Sequence, residues 1–290
     1  SFSEVGTALA PAGELAPTGL RDVVAPSSER RGRVIAVWGP VGAPGITTTA
    51  ISLATVGARS GDSVLLCDAD TRGAAIAIAL AIADEVPGLA ASCRLAARGE
   101  LTDDELTRLA VRTTVGSTSL SVLTGLPRAS RWAAIEPSKI RDVIDLARQR
   151  FDVVIVDVGF GIEENEWVDD APQRDGAARE ILRSADTVVA VGHSDAVGIA
   201  RLIRALDDLS EIRRDPVVIL NETTGGSARD AMDAVHRFTE YTVRATIPRD
   251  SRDGVEEAAG RAVNSATWRR VAHLVGLREM PTKSRGRVRR

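Results

Sequence analysis

The stretch that decides the fold of this chain is Val34-Ile-Ala-Val-Trp-Gly-Pro-Val-Gly-Ala-Pro-Gly-Ile-Thr-Thr-Thr-Ala50. It begins with an apolar, β-branched run, Val34 to Trp38, which is typical of a buried parallel strand. A loop rich in Gly and Pro follows, and the three threonines then open a helix. The stretch therefore predicts a strand, a loop and a helix in direct succession.

This order is the context in which a phosphate-binding loop occurs. In such a loop, backbone N–H groups converge on phosphate oxygens at the helix N-terminus, a lysine reaches the β- and γ-phosphates, and the next Ser or Thr holds Mg²⁺. Here Ile46 precedes Thr47 and offers no charge, while Pro40 and Pro44 lack a backbone N–H. The loop has the glycines and the hydroxyl of a phosphate site without its cation.

The composition is that of an ordinary globular chain with few aromatic side chains. Of 290 residues, 44% are hydrophobic, 27% charged and 3% aromatic, and the formal net charge is −3. These values argue against a base-stacking surface and against a generally basic nucleic-acid binder. Cys67 and Cys93 define no disulfide framework or zinc site, and we expect Cys67 to be a core residue. No secretory signal or apolar run of about 18 residues is visible, so we expect a cytoplasmic protein.

Three segments of different composition are expected. Residues 1–31, rich in Ala, Pro, Ser and Gly, are predicted to be a flexible linker or disordered segment. Residues 32–280 are predicted to form the folded domain, and residues 281–290 a basic tail with five cations between Lys283 and Arg290.

Strands and helices alternate within the folded part. This alternation predicts an α/β domain, namely a doubly wound, mostly parallel sheet of about seven to eight strands flanked by helices. The expected strands are Arg33–Trp38, Ser63–Asp68, Ser119–Thr124, Asp152–Asp157, Asp186–Val191, Pro216–Asn221 and Val243–Ile247. The expected helices include Thr47–Arg59, Ser138–Arg150, Ala196–Leu209 and Ala228–Thr239.

Two of the expected strands end in carboxylates. Asp68 and Asp70 end and follow the second strand, where they would face Mg²⁺ and an attacking water; a polar turn is the alternative. Asp157 ends the fourth strand, before Gly159 and Gly161, in the pattern of a Walker B strand; a buried strand ending in a turn is the alternative. Ligands of parallel sheets bind at the carboxyl ends of the strands, so one site is expected there.

The order and spacing of these elements resemble the ParA/MinD family of P-loop ATPases, and within it the CpaE/TadZ-like branch, over roughly residues 33–276. The family's loop, Lys-Gly-Gly-x-Gly-Lys-Thr-Thr, falls on Val41-Gly-Ala-Pro-Gly-Ile-Thr-Thr48. On this resemblance Val41 replaces the signature lysine that reaches across the family's dimer, and Ile46 replaces the Walker lysine. The positions that keep the family's residues are Gly42, Gly45, Thr47 and Thr48.

The resemblance implies ATP or ADP with Mg²⁺ as the cofactor, bound weakly because both cations are missing. If nucleotide binds, Thr47, Asp68 and Asp157 would hold Mg²⁺. If the chain is active, Asp70 would position the attacking water. Val158-Gly159 departs from the family, which usually has Pro after the Walker B Asp.

Three matches lie later in the chain. Asn221 ends a strand that resembles the one whose Asn contacts adenine in the family. Pro248, within Thr246-Ile-Pro-Arg-Asp250, resembles the turn beside the base. Val255–Val263 resembles the family's last helix and Gly turn.

These features lead to three hypotheses. The first is a CpaE/TadZ-like positioning or scaffolding factor for a pilus, secretion or division machine, forming a homodimer, with hydrolysis weak or lost. The second is an active ATPase that uses arginines such as Arg72 or Arg249 and dimerises with ATP. The third is a ParA-type partitioning protein that binds DNA nonspecifically through Arg269, Arg270 and the tail.

Three smaller features leave alternatives open. The acidic segment 162–175 is a solvated loop or a docking segment anchored by Trp167. His193, beside Ser194 and Asp195, is interpreted as a loop histidine, because triad partners converge from separate segments. The basic tail is a solvated end or a patch that holds DNA or an anionic membrane, which would place the chain at the inner membrane face.

Overall fold

A computed structural model describes residues 31–42, 45–83, 88–164, 173–224, 226–249 and 265–278. The strands are β1 Arg33–Trp38, β2 Val64–Asp68, β3 Val111–Val115, β4 Thr118–Leu123, β5 Val153–Gly159, β6 Thr187–His193, β7 Val217–Thr223 and β8 Val243–Pro248. The helices are α1 Ile46–Arg59, α2 Ile76–Ala79, α3 Gly88–Ala97, α4 Asp103–Leu109, α5 Pro137–Arg150, α6 Gly176–Ser184, α7 Ala196–Ser210, α8 Ser227–Phe238 and α9 Ala266–Leu274, with a 3₁₀ helix at Ala129–Ala134.

Several features of the sequence lie outside these described residues. They are residues 1–30 of the expected linker, Ala43 and Pro44 of the loop, Trp167 with most of the acidic segment, Asp250, the Val255–Val263 match and the basic tail. They remain predictions.

The strands form one eight-stranded sheet in the order β3-β4-β2-β5-β1-β6-β7-β8. Every neighbouring pair is parallel except β3 with β4. This arrangement confirms the predicted fold class. The sequence missed β3, an antiparallel edge strand that turns into β4 at Gly116, whose φ is 60°. Three of its five residues are exposed, so the apolar pattern of a buried strand is absent there.

Two hydrophobic cores cover the two faces of the sheet. Successive side chains of β1 point to opposite faces, as in any strand. Val34, Ala36 and Trp38 join the core beneath α3 and α5–α8, whereas Ile35 and Val37 join the core beneath α1 and α9. Burial on both faces explains why the parallel strands are continuous apolar runs and could be located from the sequence.

The polar loops lie at the carboxyl edge of the central strands. In register, Asp68 of β2 pairs with Asp157 of β5, and Trp38 of β1 pairs with Gly159. The topology thus brings the loop after β1 and the ends of β2 and β5 to one place. Among the described residues, no helix is long and apolar enough to span a bilayer.

Candidate functional site

The loop between β1 and α1 adopts a backbone that only glycine accepts easily. Gly42 and Gly45 have positive φ, 71° and 99°, a region that residues with a side chain rarely adopt. Gly45 is the N-cap residue of α1. A Cβ atom at Gly45 would lie 2.0 Å from Nδ2 of Asn221, so the Asn221 side chain lies directly against the loop. The structure therefore brings together three of the residues that the sequence assigns to nucleotide binding.

Ile46, at the position of the missing Walker lysine, packs into the core. It is 9% exposed and belongs to the cluster beneath α1. Its Cγ1 and Cδ1 atoms each lie 3.2 Å from the position that a Cβ of Gly39 would take. Burying an isoleucine side chain stabilises a fold by about 1.5–3 kcal/mol. Ile46 thus helps to hold the loop against the sheet, and it supplies no charge to an anion.

Asp157 has an unsatisfied carboxylate oxygen in the site. The Gly159 N–H donates to its Oδ1 at 3.2 Å. Its Oδ2 is buried and has no hydrogen-bond partner among the described residues. Burial raises the pKa of Asp157 to about 6, the neighbouring Thr47 hydroxyl lowers it, and the charge of Asp70 raises it further. This oxygen is available to a proton or a cation.

Asp70 and Asp68 have different roles, although they are two residues apart. The Asp70 carboxylate packs against Gly159: a Cβ atom at Gly159 would lie 2.7 Å from both carboxylate oxygens of Asp70. Asp68 is buried, and its two oxygens accept the N–H groups of Asp70, at 3.3 Å, and Ile76, at 2.9 Å. Burial and the charge of Asp157 raise the pKa of Asp68 well above its ordinary range. Asp70 therefore lines the site, while Asp68 organises the turn behind it.

A small pocket of about 200 Å³ lies between the loop and these carboxylates. Its described lining contains no lysine or arginine; it consists of Pro40, Gly42, Gly45, Ile46, Thr47, Asp70, Asp157, Gly159 and Phe160. The hydroxyl and carboxylate oxygens fit a hard divalent cation such as Mg²⁺. Within the described ranges no group of three or more His, Cys, Asp or Glu side chains could hold a metal alone, so this cation would need further ligands. The lining does not fit the terminal phosphates of a nucleotide, because it offers no side-chain charge to balance them.

The remaining predicted nucleotide residues lie further from this pocket. Thr48 is partly exposed in the first turn of α1. Pro248 is exposed at the end of β8, where it pairs with Thr223. Thus, of the predicted cofactor residues, Thr48, Asn221 and Pro248 are outside the pocket lining, although Asn221 touches Gly45.

Neither arginine that the sequence suggested as a substitute cation reaches the loop. Arg72 forms a bidentate ion pair with Asp175, in which Nη2 lies 2.8 Å from Oδ2. Its guanidinium group also lies over the ring of Phe160. Arg249, which follows β8, lies 3.7 Å from Glu222 of β7 and is largely exposed.

A third arginine, which sequence reasoning missed, does contact the loop. Arg201 of α7 donates a hydrogen bond from Nη1 to the Val41 carbonyl at 3.3 Å. The two residues are 160 positions apart, and no local pattern in the sequence connects them.

His193 lies between two carboxylates instead of in a catalytic triad. Its Nδ1 is 3.2 Å from Oδ2 of Asp195, and its Nε2 is 3.6 Å from Oε2 of Glu222. The Ser194 hydroxyl donates to the Glu222 carbonyl at 3.2 Å. The described hydrogen bond of the Ser194 hydroxyl is therefore to a backbone carbonyl and not to His193.

The fold has relatives among solved structures, although the sequence matches no protein-family model and no curated protein. The ParA-family ATPase of Chlorobium tepidum TLS matches with a TM-score of 0.63 at 20% identity, over 84% of this chain and 96% of its own. The septum site-determining protein MinD of Pyrococcus horikoshii OT3, in complex with Mg-ADP, matches with a TM-score of 0.63 at 19% identity, over 84% of this chain and 96% of the MinD chain. A chain of the MinC:MinD cell division complex of Aquifex aeolicus matches with a TM-score of 0.61 at 16% identity, over 87% of this chain and 99% of that chain.

At these identities the likeness establishes the fold. The chain has the P-loop ATPase fold found in ParA- and MinD-type proteins. The function of the site is a separate question.

Proposed function

We propose that this chain is a positioning or scaffolding factor of the ParA/MinD type, in the CpaE/TadZ-like branch, whose ATP hydrolysis is weak or lost. In this proposal it acts through protein contacts and a homodimer at a pilus, secretion or division machine. Cell-division proteins occur among its structural relatives, which supports this class of role.

The observation that carries the proposal is the state of the loop pocket. Ile46 is buried against Gly39, and the described lining has carboxylates but no cation. Phosphoryl transfer depends on stabilising the charge of the transferring group. Loss of a single preorganised donor lowers a rate by about 10²–10³, and two cations are absent from this loop. Hydrolysis at or near background follows.

The homodimer is proposed to form without nucleotide. Val41 stands where the family's bridging lysine would be, and its side chain is 53% exposed. An exposed apolar side chain can pack against a second copy, but it cannot recognise a phosphate. Association should therefore depend on apolar contact and not on ATP.

Two measurements test this proposal. Phosphate release should equal that of the double variant Thr47→Ala, Asp157→Ala; release clearly above this control would favour an active enzyme. Sedimentation should give the same oligomer with and without Mg-ATP; a monomer that dimerises only with Mg-ATP would contradict the scaffold hypothesis.

The domain limits and the basic tail are part of the same proposal. Residues 32–280 are proposed as the domain and residues 281–290 as an accessory tail. If the tail functions, binding to anionic vesicles or DNA should fall steeply with salt and vanish when residues 283–290 are deleted. Binding that survives the deletion would assign the contact to the folded domain.

A further inference from the structure

We propose that β3 is a contact for a second copy of this chain, in which two β3 strands pair antiparallel across a two-fold axis and join two sheets edge to edge. This goes beyond the proposed function, because Val41 lies on the loop after β1, whereas β3 is the outermost strand of the sheet. The chain then has two separate self-contacts, and two self-complementary contacts on one chain link dimers into larger assemblies.

The first argument is that the β3 edge is open. All five residues of β3, Val111–Val115, pair with β4 in one regular register. An edge strand directs every second set of N–H and C=O groups away from its neighbour. Within the described ranges, no backbone hydrogen bond joins β3 to any element other than β4. These outward backbone groups are therefore available to another strand.

The second argument is the contrast with the opposite edge of the sheet. Natural proteins protect exposed edges with proline, lysine, bulges or charges. β8 ends in Pro248, which has no N–H, and its pairing with β7 shifts register twice. β3 has the sequence Val-Arg-Thr-Thr-Val, whose four β-branched residues favour a strand and whose single charge is Arg112. The edge at β3 thus has little protection.

The occupant that fits this edge is a second copy, because the strand is complementary to itself. With Thr113 on the two-fold axis all five residues overlap: Val111 lies opposite Val115 of the second copy, Arg112 opposite Thr114, and Thr113 opposite its own copy. Pairing covers Val111, which is 38% exposed, and Thr–Thr pairs stabilise antiparallel sheets. No like charges lie directly opposite each other, and the two Arg112 side chains are diagonal neighbours.

The same register keeps the faces of the two sheets in line. Val111 and Thr113 lie opposite Val122 and Leu120 of β4, which belong to the core beneath α1 and α9. The odd-numbered residues of β3 therefore lie on that face, and this register places them opposite odd-numbered residues of the second copy. A shift by one residue would pair one face with the other.

The first experiment traps the pair as a disulfide in the full chain, with oxidised glutathione as the oxidant. Directly opposite residues have Cα atoms about 4.5–5.5 Å apart, which suits a disulfide. Thr113→Cys lies opposite its own copy and should give a crosslinked dimer. Thr114→Cys is more exposed but diagonal to its own copy, so it should give at least about threefold less dimer. Cys67 and Cys93 are buried and should stay reduced.

The second experiment changes the charge opposite Arg112. Thr114→Arg places like charges opposite each other twice and should weaken self-association in sedimentation by about threefold or more, whereas Thr114→Glu should strengthen it by a similar factor. Arg112→Glu combined with Thr114→Arg restores opposite charges and should restore association. The matched control is Thr242→Arg, at an exposed threonine directly before β8 on the other edge, which should change association by less than about twofold.

A third readout needs no variant. Hydrogen exchange of residues 111–115 in the wild type should slow as the protein concentration rises, while exchange of β8 stays constant. Circular dichroism melting verifies that each variant in the other two experiments is folded.

Three results would overturn the proposal. They are equal crosslinking of Thr113→Cys and Thr114→Cys, equal effects of Thr114→Arg and Thr114→Glu on association, and exchange of β3 that does not depend on concentration. Crosslinking of Thr113→Cys to another protein in a cell extract, and not to its own copy, would also overturn it by assigning the edge to an extended segment of a partner. None of these results involves Val41 or nucleotide, so the scaffold hypothesis is judged separately by phosphate release and by the effect of Mg-ATP.

Discussion

Replacement of Asp157 by asparagine should make the protein more stable at neutral pH, although it alters the most buried part of the candidate site. Burial raises the pKa of Asp157 from 3.8 to about 6. Each unit of pKa change corresponds to about 1.4 kcal/mol. At neutral pH the ionised carboxylate therefore lowers the free energy of unfolding by about 3 kcal/mol. Asparagine has the same shape and no charge. Its amide N–H₂ would take the place of Oδ2, which has no partner among the described residues, in the pocket that Asp70 also lines. We expect a net gain of about 1–3 kcal/mol, since part of the gain is lost if the new amide is poorly paired.

The pH dependence follows from the sign of the pKa change. A carboxyl group whose pKa is higher in the folded state binds more protons there than in the unfolded chain between about pH 4 and pH 6. The free energy of unfolding of the wild type should therefore fall as the pH rises through this window. Asp68, whose pKa is also raised by burial and by the charge of Asp157, adds to the same slope. Asp157→Asn should make the free energy of unfolding less dependent on pH, because it removes one titrating carboxyl group and its charge repulsion with Asp68.

The assay is urea unfolding followed by circular dichroism at several pH values between about 4 and 7.5, in EDTA. An Asp157→Asn variant that is less stable than the wild type near neutral pH would refute a destabilising charge at Asp157, as would an equal change of the free energy of unfolding with pH in the two proteins. Millimolar Mg²⁺ gives a control: if it binds the folded site, it should raise the stability of the wild type and have little effect on Asp157→Asn.

Other substitutions test single contacts. Ile46→Lys should lower the free energy of unfolding by about 2 kcal/mol or more without restoring phosphate release, because Ile46 is only 9% exposed; a stable, hydrolysing variant would contradict this. Gly45→Ala should lower the free energy of unfolding by more than about 1 kcal/mol, because φ of Gly45 is 99° and the new Cβ would clash with Nδ2 of Asn221. Adding Asn221→Ala should recover part of this loss, and no recovery in the double variant would exclude the clash. The N–H of Gly198 donates to the Asp195 carboxylate and holds the pKa of Asp195 below its usual range, so Asp195→Ala should lower the free energy of unfolding near neutral pH. The difference in stability from the wild type should shrink as the pH falls below about 4, and a difference that does not vary with pH would contradict this.

The buried strands and the loop could be located from the sequence because their physical causes are local. Buried parallel strands must be apolar on both faces, and β1 was predicted with the bounds that the structure has. The exposed edge strand β3 was missed, because most of its side chains face solvent and leave no apolar pattern. The absence of lysine from the loop is likewise a property of the sequence alone.

What lies around the loop depended on the tertiary structure. The sequence placed Asp68 and Asp70 together, yet Asp68 binds backbone N–H groups and Asp70 faces the pocket, since strand pairing and the turn after β2 orient the two side chains differently.

The ion pairs of the arginines also required the tertiary structure. Arg72 was a candidate cation in the sequence, but Asp175 lies 103 positions away and holds it. Arg201 was not a candidate, and packing of α7 against β6, the strand next to β1, carries it to Val41. Sequence determines which charges exist, whereas the contacts between distant elements determine which charge reaches the site.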